Sequence, residues 1–252
     1  MGFFSIWYLT PVSDWIVKEV LVFVPIESDV DLGREAWRSM NYPPVKDKWN
    51  VNRIGHELVA QLDQPQSLQW SFSVIHADFA NAFALPGGIV RVTDALLNQL
   101  NLSEAELAAL IGHEMGHVLH RHSQARLLKE QLISYVLRAV VYEDNDGYQE
   151  SFGEAVGELL LKSATFLGKR SFSRKDEYEA DATAWDLLVI SQQYSPKAVE
   201  SLLQKLWNLS GGSGETSWES THPGTKDRIE ALKVKWDKLP TIERQRLRRL
   251  QK

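Results

Sequence analysis

His113, Glu114 and His117 stand together in the stretch Leu110 to Leu119. Four residues advance an α-helix by about 400°, so the two histidines leave one face a turn apart and can grip one metal ion. Glu114 lies about 100° round from His113, within reach of water at that metal without ligating it. The chemistry such a trio supports is hydrolysis, in which the metal acidifies water and the carboxylate takes the proton.

A third ligand is available in Ser173 to Asp181, where Glu177 and Asp181 are one helical turn apart and can both face inward. Glu177 completes the His2Glu set of a catalytic zinc site, one Zn2+ per chain, with the fourth position left for water. Asp181 is suited to accept the second N–H of a ligating histidine. Taken alone, this acidic helix would read as a solvated face. His120 and His122 do not share the face of the motif histidines and read as surface residues or as supports behind the ligands. His56 reads as a surface or hydrogen-bonded histidine.

Several elements must position these residues. Ser103 and Glu106 are in capping-box register, and Leu107, Leu110, Ile111, Met115, Val118 and Leu119 give an apolar face at helical spacing. Gly112 and Gly116 each cost about 1 kcal/mol against alanine in a helix, which points to close packing against another element. From Leu68 to Thr93 the period becomes that of strands. Trp70–Ile75, Asn81–Leu85 and Ile89–Val92 alternate, with Pro86-Gly87-Gly88 as the turn. A small sheet before the metal-binding helix suits a hydrolase that holds a peptide as an added strand, through Ile89 and the strand after Gly88. A purely structural hairpin is the plain alternative.

Elsewhere the pattern is helical: 27 to the turn Tyr42-Pro43-Pro44, Val51 to Leu62, onward from His122 to about Val141, Phe152 to Leu167, and Lys226 to Trp236. Glu143 to Gly147 reads as an exposed acidic loop. The fold class is therefore α+β, mainly α, with a small sheet or hairpin beside the motif helix. A chain of 252 residues can bury one substantial core, giving a catalytic domain over 27–239 between two extensions. The first, 1–26, is apolar and aromatic and either docks on the domain or lies on a membrane surface. It lacks the basic start of a signal peptide, and Asp14, Lys18 and Glu19 interrupt it before it reaches spanning length. The second, 240–252, is a basic helix carrying Arg244, Arg246, Arg248 and Arg249.

A net charge of -5 offers no footing for nucleic acid, and the absence of cysteine excludes disulfides, thiolate ligands and a cysteine nucleophile. What remains is a metal-dependent hydrolase, or a chaperone or scaffold that keeps the zinc fold for binding.

The motif His113-Glu114-x-x-His117, the segment Glu177-x-x-x-Asp181, the run Asn81 to Gly88, and Thr221-His222-Pro223 with Arg228 occur in that order. Together they resemble peptidase family M48: the CAAX-processing Ste proteases, the HtpX heat-shock proteases and the Oma-type peptidases. The resemblance implies a gluzincin fold, a zinc-dependent endopeptidase acting on polypeptides in quality control or processing, and a membrane-associated, organellar or envelope setting. It implies Glu177 as third ligand, Glu114 as general base, and the hairpin of Asn81, Pro86, Gly87, Gly88 and Ile89 as the substrate side. It also places His222 near the metal, as a resting fourth ligand or as an oxyanion donor. The spanning helices of multi-pass members are missing, so the chain is similar to the soluble or peripheral Oma-like branch. Peripheral membrane contact fits that branch, and oligomeric state is left open.

Overall fold

The computed structural model describes residues 16–17, 19–63, 68–130, 171–211 and 217–250. Residues 122–130 are helical as expected; the remainder of that helix to Val141, the helix over Phe152 to Leu167, the acidic loop between them, and residues 1–15 lie outside these ranges. In chain order come α1 (Ile26–Ser39), α2 (Val51–Val59), β1 (Ser71–Ile75), β2 (Ala82–Leu85) and β3 (Ile89–Thr93). Then follow α3 (Asp94–Leu100), α4 (Glu104–Leu119), α5 (Arg174–Ser191), α6 (Lys197–Leu209), α7 (Ser217–Thr221), α8 (Thr225–Asp237) and α9 (Thr241–Arg248).

The expected capping box starts α4: the Ser103 side chain accepts from the Glu106 N–H, and Glu106 accepts from the Ser103 N–H. One apolar face was expected, but every residue from Ala105 to Val118 is buried. The sheet and α2 lie against one part of this helix, α5 and α6 against others. The two glycines explain the tightest of these contacts. A Cβ on Gly116 would stand 2.8 Å from the Ala180 Cα, and one on Gly112 would stand 3.2 Å from the Ala184 Cα. Without side chains there, α4 and α5 approach closely enough to bring Glu177 and Asp181 to the motif histidines.

The sheet order is β1-β3-β2, with β1 parallel and β2 antiparallel to β3. The alternation expected of the strands is absent from β2 and β3, which are buried at every position. One sheet face joins the main core with Leu96, Leu110 and Met115. Phe83, Leu85 and Ile89 on the other face pack with Ala36 of α1 and Leu127. Both faces are covered, so most of these side chains are apolar and even Arg91 and Thr93 of β3 are buried.

The strand after Gly88 is the middle one, and this corrects the expectation that it receives a peptide. Ile89 is paired with Ser71 on one side and Leu85 on the other, leaving no free backbone edge. Among the described residues, β2 has a strand on one side only. The Pro86-Gly87-Gly88 turn is buried against α1: Gly87 has φ 78°, and a Cβ on it would lie 2.5 Å from the Val30 Cα. A side chain on Gly33 would likewise run into the Pro86 carbonyl.

At its described end, the N-terminal segment docks on the domain. Arg121 donates to the Leu21 and Val24 carbonyls at 2.8 and 2.9 Å and pairs with Asp29 of α1 at 2.8 Å. Val22 and Phe23 point outward. At the other end, α9 is anchored by Leu247, which joins the main core. No described helix is long and apolar enough to cross a membrane.

Candidate metal centre

Helix α4 aims His113 and His117 at a point that α5 approaches with Glu177 and that the chain after α7 approaches with His222. All four side chains are buried. The His113 and His117 Nε2 atoms are 3.1 Å apart. Glu177 lies 3.5 Å from each of them, through Oε2 and Oε1 respectively. His222 Nδ1 is 3.4 Å from His113 Nε2 and 3.1 Å from Glu177 Oε1. Four ligands at zinc distances in a tetrahedron stand roughly 3.3 Å from one another. The donor set therefore fits a single divalent cation in chemistry and in spacing.

Glu114 adjoins this cluster with both carboxylate oxygens buried and unpartnered. The nearest imidazole nitrogen, His222 Nε2, is 3.6 Å from its Oε1. Burial pushes its carboxyl above the ordinary glutamate range, which raises its affinity for a proton.

The ligand candidates are held from behind. Asp181 Oδ1 accepts from His113 Nδ1 at 2.9 Å, which fixes the ring and turns Nε2 toward the centre. Arg228, 1% exposed, grips Asp181 with two bonds of 2.7 Å and reaches Glu177 Oε2 at 2.5 Å. Burial opposes ionisation of both carboxyls, but the guanidinium outweighs it and holds Asp181 and Glu177 below their usual values. Burial also works against a charged His113, yet Asp181 and Glu177 carry that ring up to about 9. His117 has Glu177 at 3.5 Å but no Asp181 behind it, and burial together with the neighbouring His113 pushes it well down.

Behind His117 stands His122, Nδ1 to Nδ1 at 3.0 Å. Phe172 stacks on the His117 ring with centroids 3.9 Å apart, and Trp218 stacks on His222 at 4.1 Å. The structure thus brings together His113, Glu114, His117, Glu177, Asp181 and His222. Asn81 sits at the head of β2, which packs on α4, and its Oδ1 is buried without a partner. Pro86, Gly87 and Gly88 have a visible packing task instead.

Sequence reasoning missed what Arg228 does and left His122 open between a surface residue and a support behind the ligands. Arg228 had a signal, since it follows the His222-Pro223 turn at a helical start, but nothing in the spacing said that it pairs with residues 47 and 51 positions earlier. Of the two roles read for His122, the structure shows the support: it is brought back beside His117 by Arg121, whose φ of 54° turns the chain at the end of α4.

Residues 45–235 match the description of peptidase family M48. The chain belongs to that family. It is 35% identical over 66% of its length to the mitochondrial metalloendopeptidase OMA1 of Arabidopsis thaliana, covering 32% of that protein. To the mitochondrial metalloendopeptidase OMA1 of Schizosaccharomyces pombe it is 32% identical over 72% of the chain and 51% of the relative. To the metalloprotease LoiP of Escherichia coli it is 30% identical, over 65% of the chain and 61% of the relative. The chain thus spans about a third to three fifths of the length of these M48 proteins.

Proposed function

We propose that the protein is a zinc-dependent metalloendopeptidase that cleaves unfolded or membrane-associated polypeptides in quality control or processing. The observation that carries this reading is the convergence of His113, His117, Glu177 and His222 beside a buried, unpartnered Glu114. His and carboxylate donors without cysteine suit zinc held by His113, His117 and Glu177. The names of relatives, metalloendopeptidases and a beta-barrel assembly-enhancing protease, support a polypeptide substrate. Val22 and Phe23, exposed at the docked N-terminal end, give a small apolar surface suited to peripheral membrane contact.

When bound, zinc supplies Lewis-acid chemistry, acidifying water and polarising a carbonyl oxygen. Glu114 takes a proton from the attacking water as the new C–O bond forms, and returns it to the amine nitrogen as the C–N bond breaks. Asp181 holds His113 in the tautomer that presents Nε2, and Arg228 keeps both Asp181 and Glu177 ionised and in place. A peptide adds along the outer edge of β2, where the free Asn81 Oδ1 accepts a backbone N–H. His222 rests at ligand distance from His113 and Glu177, an arrangement that supports its role as a fourth ligand of a resting state. It then has to swing aside for water to enter. As an oxyanion donor it would do the opposite, so His222→Ala raises basal proteolysis in the first case and lowers it in the second.

The competing reading, a chaperone or scaffold with a zinc fold, has no use for a buried carboxylate left without hydrogen bonds. Digestion of an unfolded polypeptide by wild type and Glu114→Gln, with zinc measured in both, separates the two. Zinc should stay in both proteins and hydrolysis should vanish in the variant. Near wild-type hydrolysis by Glu114→Gln would remove the assigned base, and a wild type that binds unfolded chains without cutting them would favour the scaffold.

A further inference from the structure

We propose that His120, His122 and Glu179 form a second, weaker site for a divalent cation such as zinc, and that filling it inhibits the catalytic centre through His122. The inhibitory half rests on the proposed role of His117 as a ligand.

Beyond the centre already described, these three residues are a second group whose ligand atoms all lie within 4.8 Å of one another. The donor set is again two imidazoles and a carboxylate, the chemistry that borderline cations choose. His122 Nε2 is 3.2 Å from Glu179 Oε2, the separation that two ligands of one zinc ion require. The local charge also favours a cation. Asp176 stands 3.8 Å from His122 Nε2 and adds a further carboxylate beside the donors. Access is direct, because His120 is exposed and Glu179 is half-buried. Two features make the site weaker than the first. It is wetter, and His120 must leave Thr183 Oγ1, to which it is bonded at 2.9 Å.

The coupling follows from counting hydrogens on His122. If His117 ligates through Nε2, its hydrogen is on Nδ1 and points at His122 Nδ1, 3.0 Å away. His122 must accept it, so the hydrogen of His122 lies on Nε2, toward Glu179. A cation that takes Nε2 forces that hydrogen onto Nδ1, where it meets the N–H of His117. The gap holds one hydrogen and not two. One ring must turn, and His117 loses the contact that orients it. Because such coupling is reciprocal, a filled catalytic centre also weakens the second site.

The test is a titration of Glu114→Gln with buffered zinc, which reads binding without self-digestion, followed by activity measurements in proteins with an intact Glu114. Glu114→Gln should take up one tight and one weaker equivalent. Adding His120→Ala or Glu179→Gln should weaken the second by about tenfold or more, the range produced by loss of even an outer partner of a ligand. Wild-type proteolysis should fall as the weaker equivalent binds. His120→Ala alone, at an exposed position, should keep the wild-type basal rate and stay active at those zinc levels. A single equivalent in Glu114→Gln, a second equivalent indifferent to both substitutions, or inhibition undiminished in His120→Ala would each overturn the proposal. Retention of the tight equivalent in His113→Ala would instead sink the catalytic reading, with the His120-dependent equivalent still measured separately.

Discussion

His113 and His117 are the same residue type, one turn apart on one helix, yet the groups behind them differ in kind. His113 leans on Asp181, a carboxylate clamped by a fully buried arginine that also grips Glu177. His117 leans on a neutral neighbour, His122, whose far side meets the partly exposed Glu179. The first arm is dry, charged and closed by a bidentate pair. The second is a chain of shared hydrogens that ends near solvent. The contrast teaches that rigidity at this centre is concentrated on one side, where a single guanidinium pairs with two buried carboxylates. The other side is open to adjustment by whatever binds at its outer end.

The largest expected effect comes from cutting the rigid arm. Arg228→Met takes from buried Asp181 and Glu177 the guanidinium that pairs with both, which should cost about 3–5 kcal/mol of stability. Urea unfolding should show it as a lower midpoint, with zinc lost as well. Arg228→Lys should rescue little, since one ammonium cannot reproduce the fork. Wild-type stability in Arg228→Met would abolish the contrast between the arms.

Next come the helix contacts that set the two arms at their distances. Gly116→Ala drives a Cβ into the Ala180 backbone at 2.8 Å, against 3.2 Å for Gly112→Ala, and overpacking of this kind costs about 1–3 kcal/mol. Gly116→Ala should therefore lower thermal stability and zinc content more than Gly112→Ala. The reverse order would mean that α5 yields near His117.

The adjustable arm should give way more gently. His122→Leu should fold normally while zinc affinity falls by about 10- to 100-fold. His122→Asn should recover most of the loss, because its amide oxygen can take the place of Nδ1 as acceptor. A collapse of His122→Leu as deep as that of Arg228→Met would show that both arms carry equal load.

The smallest effect belongs to the far end of α4. Burial opposes ionisation of Glu106, but Lys205, Ser201 and the Ser103 N–H outweigh it and hold its carboxyl below the ordinary range. A depressed carboxyl contributes stability that is present above its unfolded value, about 4.3, and is lost as pH falls through its folded value. Glu106→Gln should cost roughly 1 kcal/mol at pH 7, little at pH 3, and no zinc. Zinc loss in this variant would mean that the whole helix, and not its two arms, governs the centre.

Much of the centre was legible because it rests on short-range geometry. Helical spacing alone put His113 and His117 on one face and Glu177 with Asp181 on another, and the two glycines announced a close neighbour for α4. The capping box at Ser103 was legible for the same reason. What failed was judgement of which strand edge is free. Ile89 and Ala82 both lie in apolar runs, and only the pairing of β3 with β1 as well as β2 decides that the first is enclosed. Alternation failed likewise as a guide to exposure, since covering both faces of the sheet buries even Arg91 and Thr93 of β3.

From the sequence by itself came the kind of chemistry, the helices that carry it and the family it resembles, because turns, caps and ligand spacings are fixed within a few residues. The resemblance already placed His222 near the metal; the tertiary structure decided its contacts with His113 and Glu177, and that Arg228 reaches across more than a hundred residues to the same His113 ring. It alone decided that His122 backs His117 and that, among the described residues, β2 has a strand on one side only. The reason is physical: contacts between distant segments depend on how helices and strands pack in three dimensions, and local periodicity carries no record of that packing.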